Sequence, residues 1–354
     1  MPPKKTPKRH PRASHRSVSL KQLADRLGLS PATVSVVINR SPVADTISQE
    51  TKKLILSAAR KFNYRPNFFA RSLRMQRSLT IGVIVPEVSD GYATMVLSGI
   101  EDHLLQAGYF YFVASHRHRA DLIDEYPRLF LDRAVDGIIA VDTPWHHRLR
   151  VPVVTVSGHN EAPGVVNVVL DHELAANLAI NHLVGLGHRN IAFIKGQAFS
   201  SDTEVRWNAI LKATAQLGIC VSPKLTVQLE GDEASPILGY NVTTALVKSQ
   251  QPFTAIFAFN DISAMGAIRA LRESGLRVPE DVSVVGFDDI QSAAYQNPSL
   301  TTVRQPLRKM GTIAAETVLR GIRPASARPG AKEITVAPEL VVRETTCALG
   351  CEEL

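Results

Sequence analysis

Residues 17–40, SVSLKQLADRLGLSPATVSVVINR, hold the reading on which the rest turns. Ser19 with Gln22 three residues on makes a capping box, and Leu20, Leu23, Ala24 and Leu27 lay one apolar stripe along the helix it starts. Gly28 supplies the left-handed residue that ends that helix. After a single apolar residue, Leu29, the pair Ser30 and Pro31 reads as N-cap and first position of a second helix, with Val34, Val37 and Ile38 on its inner face. Its outer face is Ala32, Thr33, Ser35, Val36 and Asn39, small, polar or methyl-bearing groups that can approach base edges in a major groove. The spacing predicts a third helix from a Ser48 cap to Phe62, closed onto the core by Leu54, Ile55 and Ala58, with Asn63 in the left-handed position after it. The competing reading is a helical scaffold that touches no DNA.

Charge argues against that competitor. Residues 1–78 hold 17 Lys or Arg against Asp25, Asp45 and Glu50, a formal +14, which against the chain's +7 leaves −7 for residues 79–354. A basic head on an acidic body predicts double-stranded DNA as partner, with strongly salt-dependent affinity. Residues 1–16 contain six basic residues, four prolines and no acid, the composition of a disordered, solvated tail.

The chain is 45% hydrophobic over 354 residues, enough for two or three domains with a sizeable core. Cys220, Cys347 and Cys351 form no disulfide or metal pattern, there is no run of 18 apolar residues, and the N-terminus lacks a signal peptide's apolar stretch. These features point to a reducing cytoplasm and to no membrane partner. No G-x-S-x-G, G-x-G-x-x-G or Walker loop occurs, so an enzyme is not expected, nor a cofactor. His116 with His118, and His146 with His147, lack further ligands at metal spacing and read as solvated loop histidines, so no metal is expected.

From Ser78 onward, apolar runs at 80–86, 108–114, 135–141, 151–157, 191–194, 255–259 and 282–287 alternate with amphipathic stretches at 171–187, 203–218, 239–249 and 261–274. The pattern is β-α-β, and seven such runs in two groups suggest two α/β lobes with parallel sheets covered by helices. In such folds ligands sit beyond the carboxyl ends of the strands, in the cleft between lobes. The residues there are Ser89 and Asp90, Asn260 and Asp261, Asp288 and Asp289, with Ser157 after the fourth run and Arg206 opening a helix. Carboxylates, an amide and a guanidinium suit the vicinal hydroxyls of a polyol. An Asp or Asn after a strand also serves simply to cap the next helix, the reading preferred for Asp261 and Asp289.

The motifs ATVSVVIN, YRPNFFARSL, VDGII, GLGHRNIAFI, FAFNDISAMGAIRALRESGLRVPEDVSVVGFDD, PSLTTVRQP with KMG, and PELVVRE occur in order. Over residues 18–345 the chain therefore resembles the LacI/GalR (lactose-repressor-type) family of transcription regulators. The resemblance implies an all-α helix-turn-helix domain (17–65), a hinge helix and linker (66–78), and a two-lobed, periplasmic-binding-protein-like effector domain (79–346) that dimerises. One lobe is expected near 79–175 with 307–334 and the other near 176–306 with 335–346, followed by a tail at 347–354 without leucine heptads, so that a homodimer is the default assembly. It further implies a repressor of operator DNA controlled by a small effector. Within the hinge, Pro66 with Asn67 as cap starts a helix too short to stand alone, Ala70 and Arg71 sit beside it, and Leu73 is the residue that enters the minor groove and kinks the duplex.

The departures from the family are informative. Val36 stands where relatives commonly carry a polar base reader, and Pro31 and Ala32 fill the variable positions before it, so methyl contacts, the Thr33 and Ser35 hydroxyls, backbone amides and the hinge must carry readout, with Leu20 and Ser30 also expected at the DNA. The family's Arg-x-x-Gly-Phe is Arg206, Trp207, Asn208, Ala209, Ile210. The arginine and stacking aromatic of purine-binding relatives correspond to Ser200 and Glu233, which disfavours a planar base and leaves a carbohydrate-like effector, touching Asp90, Tyr92, Ser157, Arg206, Glu233, Asn260 and Asp288, as the leading reading. Tyr92 is the stacking candidate for a sugar face. A purine- or nucleoside-responsive regulator and an architectural DNA-binding protein are the alternatives.

Overall fold

The structure, a computed structural model, describes residues 18–39, 41–64, 72, 76–89, 91–159, 162–322 and 332–350. The sequence-based roles of Asn67, Ala70, Arg71, Leu73 and Asp90, and the tail at 1–16, lie outside those residues. Two compact units divide between Ser78 and Leu79.

The first unit is helical. α1 (Leu20–Leu27) starts at Ser19 with the full capping box and ends at Gly28, whose φ of 63° is the left-handed value that a side chain would strain. α2 (Pro31–Ile38) follows, with the Ser30 hydroxyl accepting the Thr33 amide, and α3 (Gln49–Lys61) is capped by Ser48. Leu23, Ala24, Val34, Val37, Ile55 and Ala58 form the core. Two expectations are corrected. Leu54 is 49% exposed, because the face of α3 turned inward is set by Ile55 and Ala58, and Leu54 lies a third of a turn away. Ser35 is buried rather than presented outward, since α2 is covered over a wider arc than its apolar residues define.

The second unit carries two six-stranded sheets among the described residues. Strands β1 (Thr80–Val85), β2 (Phe110–Ser115), β3 (Gly137–Val141), β4 (Val153–Val156), β5 (Val165–Leu170) and β11 (Glu333–Val336) make one, in the order β11-β5-β4-β3-β1-β2. Strands β6 (Ile191–Lys195), β7 (Thr226–Gln228), β8 (Ala255–Ala258), β9 (Ser283–Asp288), β10 (Thr301–Arg304) and β12 (Glu339–Val341) make the other, in the order β12-β10-β9-β8-β6-β7. All pairings are parallel except β10 with β12. The helices are α4 (Gly91–Gln106), α5 (Ala120–Asp132), α6 (His172–Gly185), α7 (Asp202–Gln216), α8 (Pro236–Lys248), α9 (Asp261–Glu273) and α10 (Leu307–Gly321).

The strands are Val- and Ile-rich and buried end to end in β1, β3 and β4, as parallel strands covered on both faces must be. Edge strand β2 differs, with Phe110 and Phe112 exposed on the same face and their rings 5.4 Å apart. Helices α4 and α10 cross where Gly99 and Gly311 oppose each other's backbone. A Cβ on Gly99 would stand 1.9 Å from the Arg308 carbonyl oxygen, and one on Gly311 2.0 Å from that of Val96. The chain passes back to the second sheet only at β12, because β11 pairs with β5, so residues 335 and 336 belong to the first lobe rather than the second.

Candidate effector cleft and DNA-reading face

The carboxyl ends of β1, β3, β6, β8 and β9 converge on one cavity of about 640 Å³, counting the part open to solvent. Tyr92, Arg206, Asn260 and Asp288 all line it, four of the residues singled out from sequence.

Arg206, on the first turns of α7, is 3% exposed. Its guanidinium lies 3.6 Å from the centre of the Phe287 ring and 4.4 Å from that of Phe259, donates to the Phe259 carbonyl, and pairs with Asp202 at 2.9 Å. Among the described residues its Nε has no partner. Asp202 stays ionised: the nearby His172, His159 and Arg206 outweigh its burial and hold its carboxyl well below the ordinary range. Asp288 accepts from the Gln305 amide at 2.7 Å, leaving the Gln305 Oε1 buried and unpartnered beside it. Asn260 takes the capping role and also faces the cavity. Its Oδ1 caps α9 by accepting the Ser263 amide at 2.9 Å, while the residue still lines the cavity.

Other expectations shift. Ser157 does not line the cavity; its hydroxyl accepts from Tyr92 at 2.9 Å and so fixes that ring, and burial pushes the Tyr92 phenol well up. Glu233 is exposed, and its neighbours Asp232 and Ala234 line the cavity instead, since the loop turns at that point. Asp261 is buried within the fold rather than capping α9: it accepts from the Ile290 amide and Thr302, and burial pushes its carboxyl up to about 7. Asp289 pairs with Arg304 and Arg343. Ala209 and Ile210, which replace the family's Gly and Phe, are buried in the core, and Trp207 packs edge-on against Phe193. His116 is 1% exposed, not solvated, and Asp124 comes to 2.9 Å of His146 and 3.3 Å of His147.

Sequence reasoning missed Glu87, Asp142, Gln197, Phe199, Asp232 and Phe259. All follow strands or sit in the loops after them, the signal that singled out the others. Asp142 does more than line the cavity. From the end of β3 its carboxylate accepts the Ser201 amide at 3.2 Å, and the Ser201 hydroxyl, lying within reach of both that carboxylate and the Ser157 carbonyl, donates its one hydrogen to one of them, so one small cluster ties the loops of the two sheets together.

On the helical unit, Pro31 and Ala32 are exposed at the start of α2, with Val36 and Leu20 half-buried behind them. The polar groups of this face are already engaged. Thr33 and Ser30 share a hydroxyl contact at 2.9 Å, and the Asn39 amide donates to the Ser35 carbonyl at 2.8 Å and lies 3.1 Å from the Ser35 hydroxyl. The exposed apolar groups at the start of α2 are those of Pro31 and Ala32.

Residues 19–67 match the family of bacterial regulatory proteins called the lacI family, and residues 180–346 match the periplasmic binding protein-like domain. The chain is 30% identical over 335 residues to the HTH-type transcriptional repressor PurR of Aliivibrio fischeri, covering 92% of this chain and 98% of the relative. It belongs to the lacI family. A solved lac repressor dimer bound to operator and an anti-inducer aligns with it at 28% identity and a TM-score of 0.84, over 94% of this chain and all of the other. The complex of the regulator CelR with cellobiose aligns at 26% identity and 0.68, over 92% and 99%. As a lacI-family protein the chain is a DNA-binding transcription regulator and not an enzyme. No described helix is long and apolar enough to cross a membrane.

Proposed function

We propose that the chain represses transcription in the cytoplasm by binding operator DNA as a homodimer, and that a neutral, carbohydrate-like effector in the cavity between the two sheets changes its operator affinity. The observation that carries the effector class is the polarity of the lining. Glu87, Asp142, Asp232 and Asp288 offer acceptors, Arg206 and Asn260 offer donors, and Tyr92, Phe199 and Phe259 offer rings. A polyol supplies a donor from every hydroxyl and an apolar face for a ring, so such a lining favours it over a purine, which is richer in acceptors. Relatives point both ways: CelR is solved with cellobiose, and the curated relatives are repressors named PurR.

The purine reading stands second, favoured by that similarity and by the arginine stacked between Phe259 and Phe287. Thermal-shift screening of sugars, sugar acids, nucleosides and purines against the full-length protein separates the two, because a ligand of the native state raises the melting temperature by mass action. A neutral sugar or polyol should shift it. A shift by purines alone would replace the first reading with the second. Linkage then requires operator DNA to change the hit's affinity by the factor by which the hit changes operator affinity, which calorimetric titration with and without operator reads directly.

A further inference from the structure

A second group of ionisable side chains lies next to the effector cavity and plays no part in lining it beyond Asp202. His159, in the loop after β4, places its Nε2 2.6 Å from Asp202 Oδ1; His172, the first residue of α6, places its Nε2 3.4 Å from the same oxygen. One ligand atom from each of the three lies within 4.8 Å of the others. His172 is 4% exposed, and among the described residues neither of its ring nitrogens has a hydrogen-bond partner, so the 3.4 Å approach is a contact without hydrogen-bond geometry. A buried imidazole with both nitrogens unsatisfied is costly unless something else engages it.

We infer that His159, His172 and Asp202 form a binding site for a divalent transition ion of the zinc, cobalt or nickel type. Two imidazoles and one carboxylate are the donor set that borderline ions prefer over magnesium or calcium. Metal–ligand bonds of about 2.0–2.2 Å put tetrahedral donors roughly 3–3.5 Å apart; the His172–Asp202 pair already has that spacing at 3.4 Å, and the His159–Asp202 pair at 2.6 Å must open to admit the ion. Burial lowers the proton affinity of His172, and Asp202 is held well below the ordinary carboxylate range by its neighbours. The ion would displace the hydrogen bond between His159 Nε2 and Asp202 Oδ1 and engage the same two atoms. Access is provided by a separate cleft lined by His159 and His172 with Asp171, Glu173, Lys212 and Glu333, in which Lys212 pairs with Glu173 and which leaves room for water as a further ligand.

The donors come from both lobes. His159 hangs from the first sheet, whereas α6 and α7, which carry His172 and Asp202, pack together with α6 against β10 and β12 of the second. A bound ion would clamp the lobes together, and through the second oxygen of Asp202 it would touch the charge balance of Arg206.

The test uses the untagged full-length protein, freed of metal with a chelator and titrated with cobalt(II) chloride while visible d–d absorption is followed. The expected result is one strongly absorbing cobalt per chain, displaced by zinc. His159→Ala should weaken this binding at least tenfold, and His172→Gln likewise, whereas the double variant His146→Ala/His147→Ala, which dismantles the exposed cluster around Asp124, should keep it. His159 sits in a loop, so its variant carries the result even if His172→Gln fails to fold. Zinc should correspondingly raise the melting temperature of wild type and of the His146/His147 variant but not that of His159→Ala. Cobalt binding unaffected by His159→Ala, binding that disappears with His146 and His147, or no retained cobalt at all would each overturn the assignment.

Discussion

Arg206 and Asp288 both line the effector cavity, yet they are tied into the fold differently. Removing Arg206 strips the buried Asp202 of its guanidinium partner, so Arg206→Ala should cost about 3 kcal/mol of stability as well as effector affinity. Asp288 keeps a neutral partner in Gln305, and Asp288→Asn should weaken effector binding by about 2 kcal/mol while moving the urea midpoint far less. Calorimetry and urea unfolding on the two variants check this contrast; equal losses of stability would mean that Arg206 is not the partner that holds Asp202. On the helical unit, Val36 is half-buried behind exposed Pro31 and Ala32, and its side chain offers methyl groups only. Val36→Arg should shift preference toward guanine at one position in each half-site. Selection from randomised operators reads this, and an unchanged motif would place Val36 away from the groove.

At the scale of elements, the sequence was most legible where a local rule has one outcome. Ser19 with Gln22, Ser30 with Pro31, and Gly28 each fix a helix end by their own hydrogen bonds or dihedrals, and each does so in the structure. Long Val- and Ile-rich runs such as β1 and β9 were equally plain. The strands that went unread are β5, interrupted by Asn167, and the short, polar β7, β10, β11 and β12, which acquire strand character only from the neighbour they pair with. The cleft was half legible for the same reason. Asp288, Asn260 and Asp142 all stand at strand ends, so Asp142 carried the same signal and was passed over, whereas Asp232 reaches the cavity by the path of a loop, which spacing does not encode. The contact of α4 with α10 also needs the structure, since nothing local marks Gly311 as special. Gly311→Ala should force the two helices apart at a cost of about 3 kcal/mol. Gly185→Ala, at the end of α6 where a Cβ meets nothing within 4 Å, should leave stability unchanged or slightly higher. Urea midpoints of the pair test the close approach directly.

At the scale of the whole molecule, several histidines act in one direction. Burial lowers the proton affinity of His116, to about 4, and also of His118, His172, His182 and His188. A group whose folded pKa lies below its unfolded value of about 6.5 binds its proton more readily in the unfolded chain. Its contribution is therefore complete above about pH 6.5 and is lost as pH falls through the window down to about 4. Unfolding free energy measured between pH 7 and pH 4 should fall accordingly, and His116→Gln should flatten part of that slope; a slope unchanged by the substitution would remove His116 from the account. The exposed rings of Phe110 and Phe112 on edge strand β2 bear on something else that the whole molecule must manage. An unpaired, aromatic edge invites a neighbour, and in the proposed homodimer a partner that covers it would shield it from indiscriminate pairing. Folding and assembly then become one linked equilibrium, in which the apparent melting temperature climbs with protein concentration and Phe110→Lys abolishes the climb. A melting temperature independent of concentration over a hundredfold dilution series would mean that each chain stands alone with that edge bare, and that dilution itself exposes nothing new.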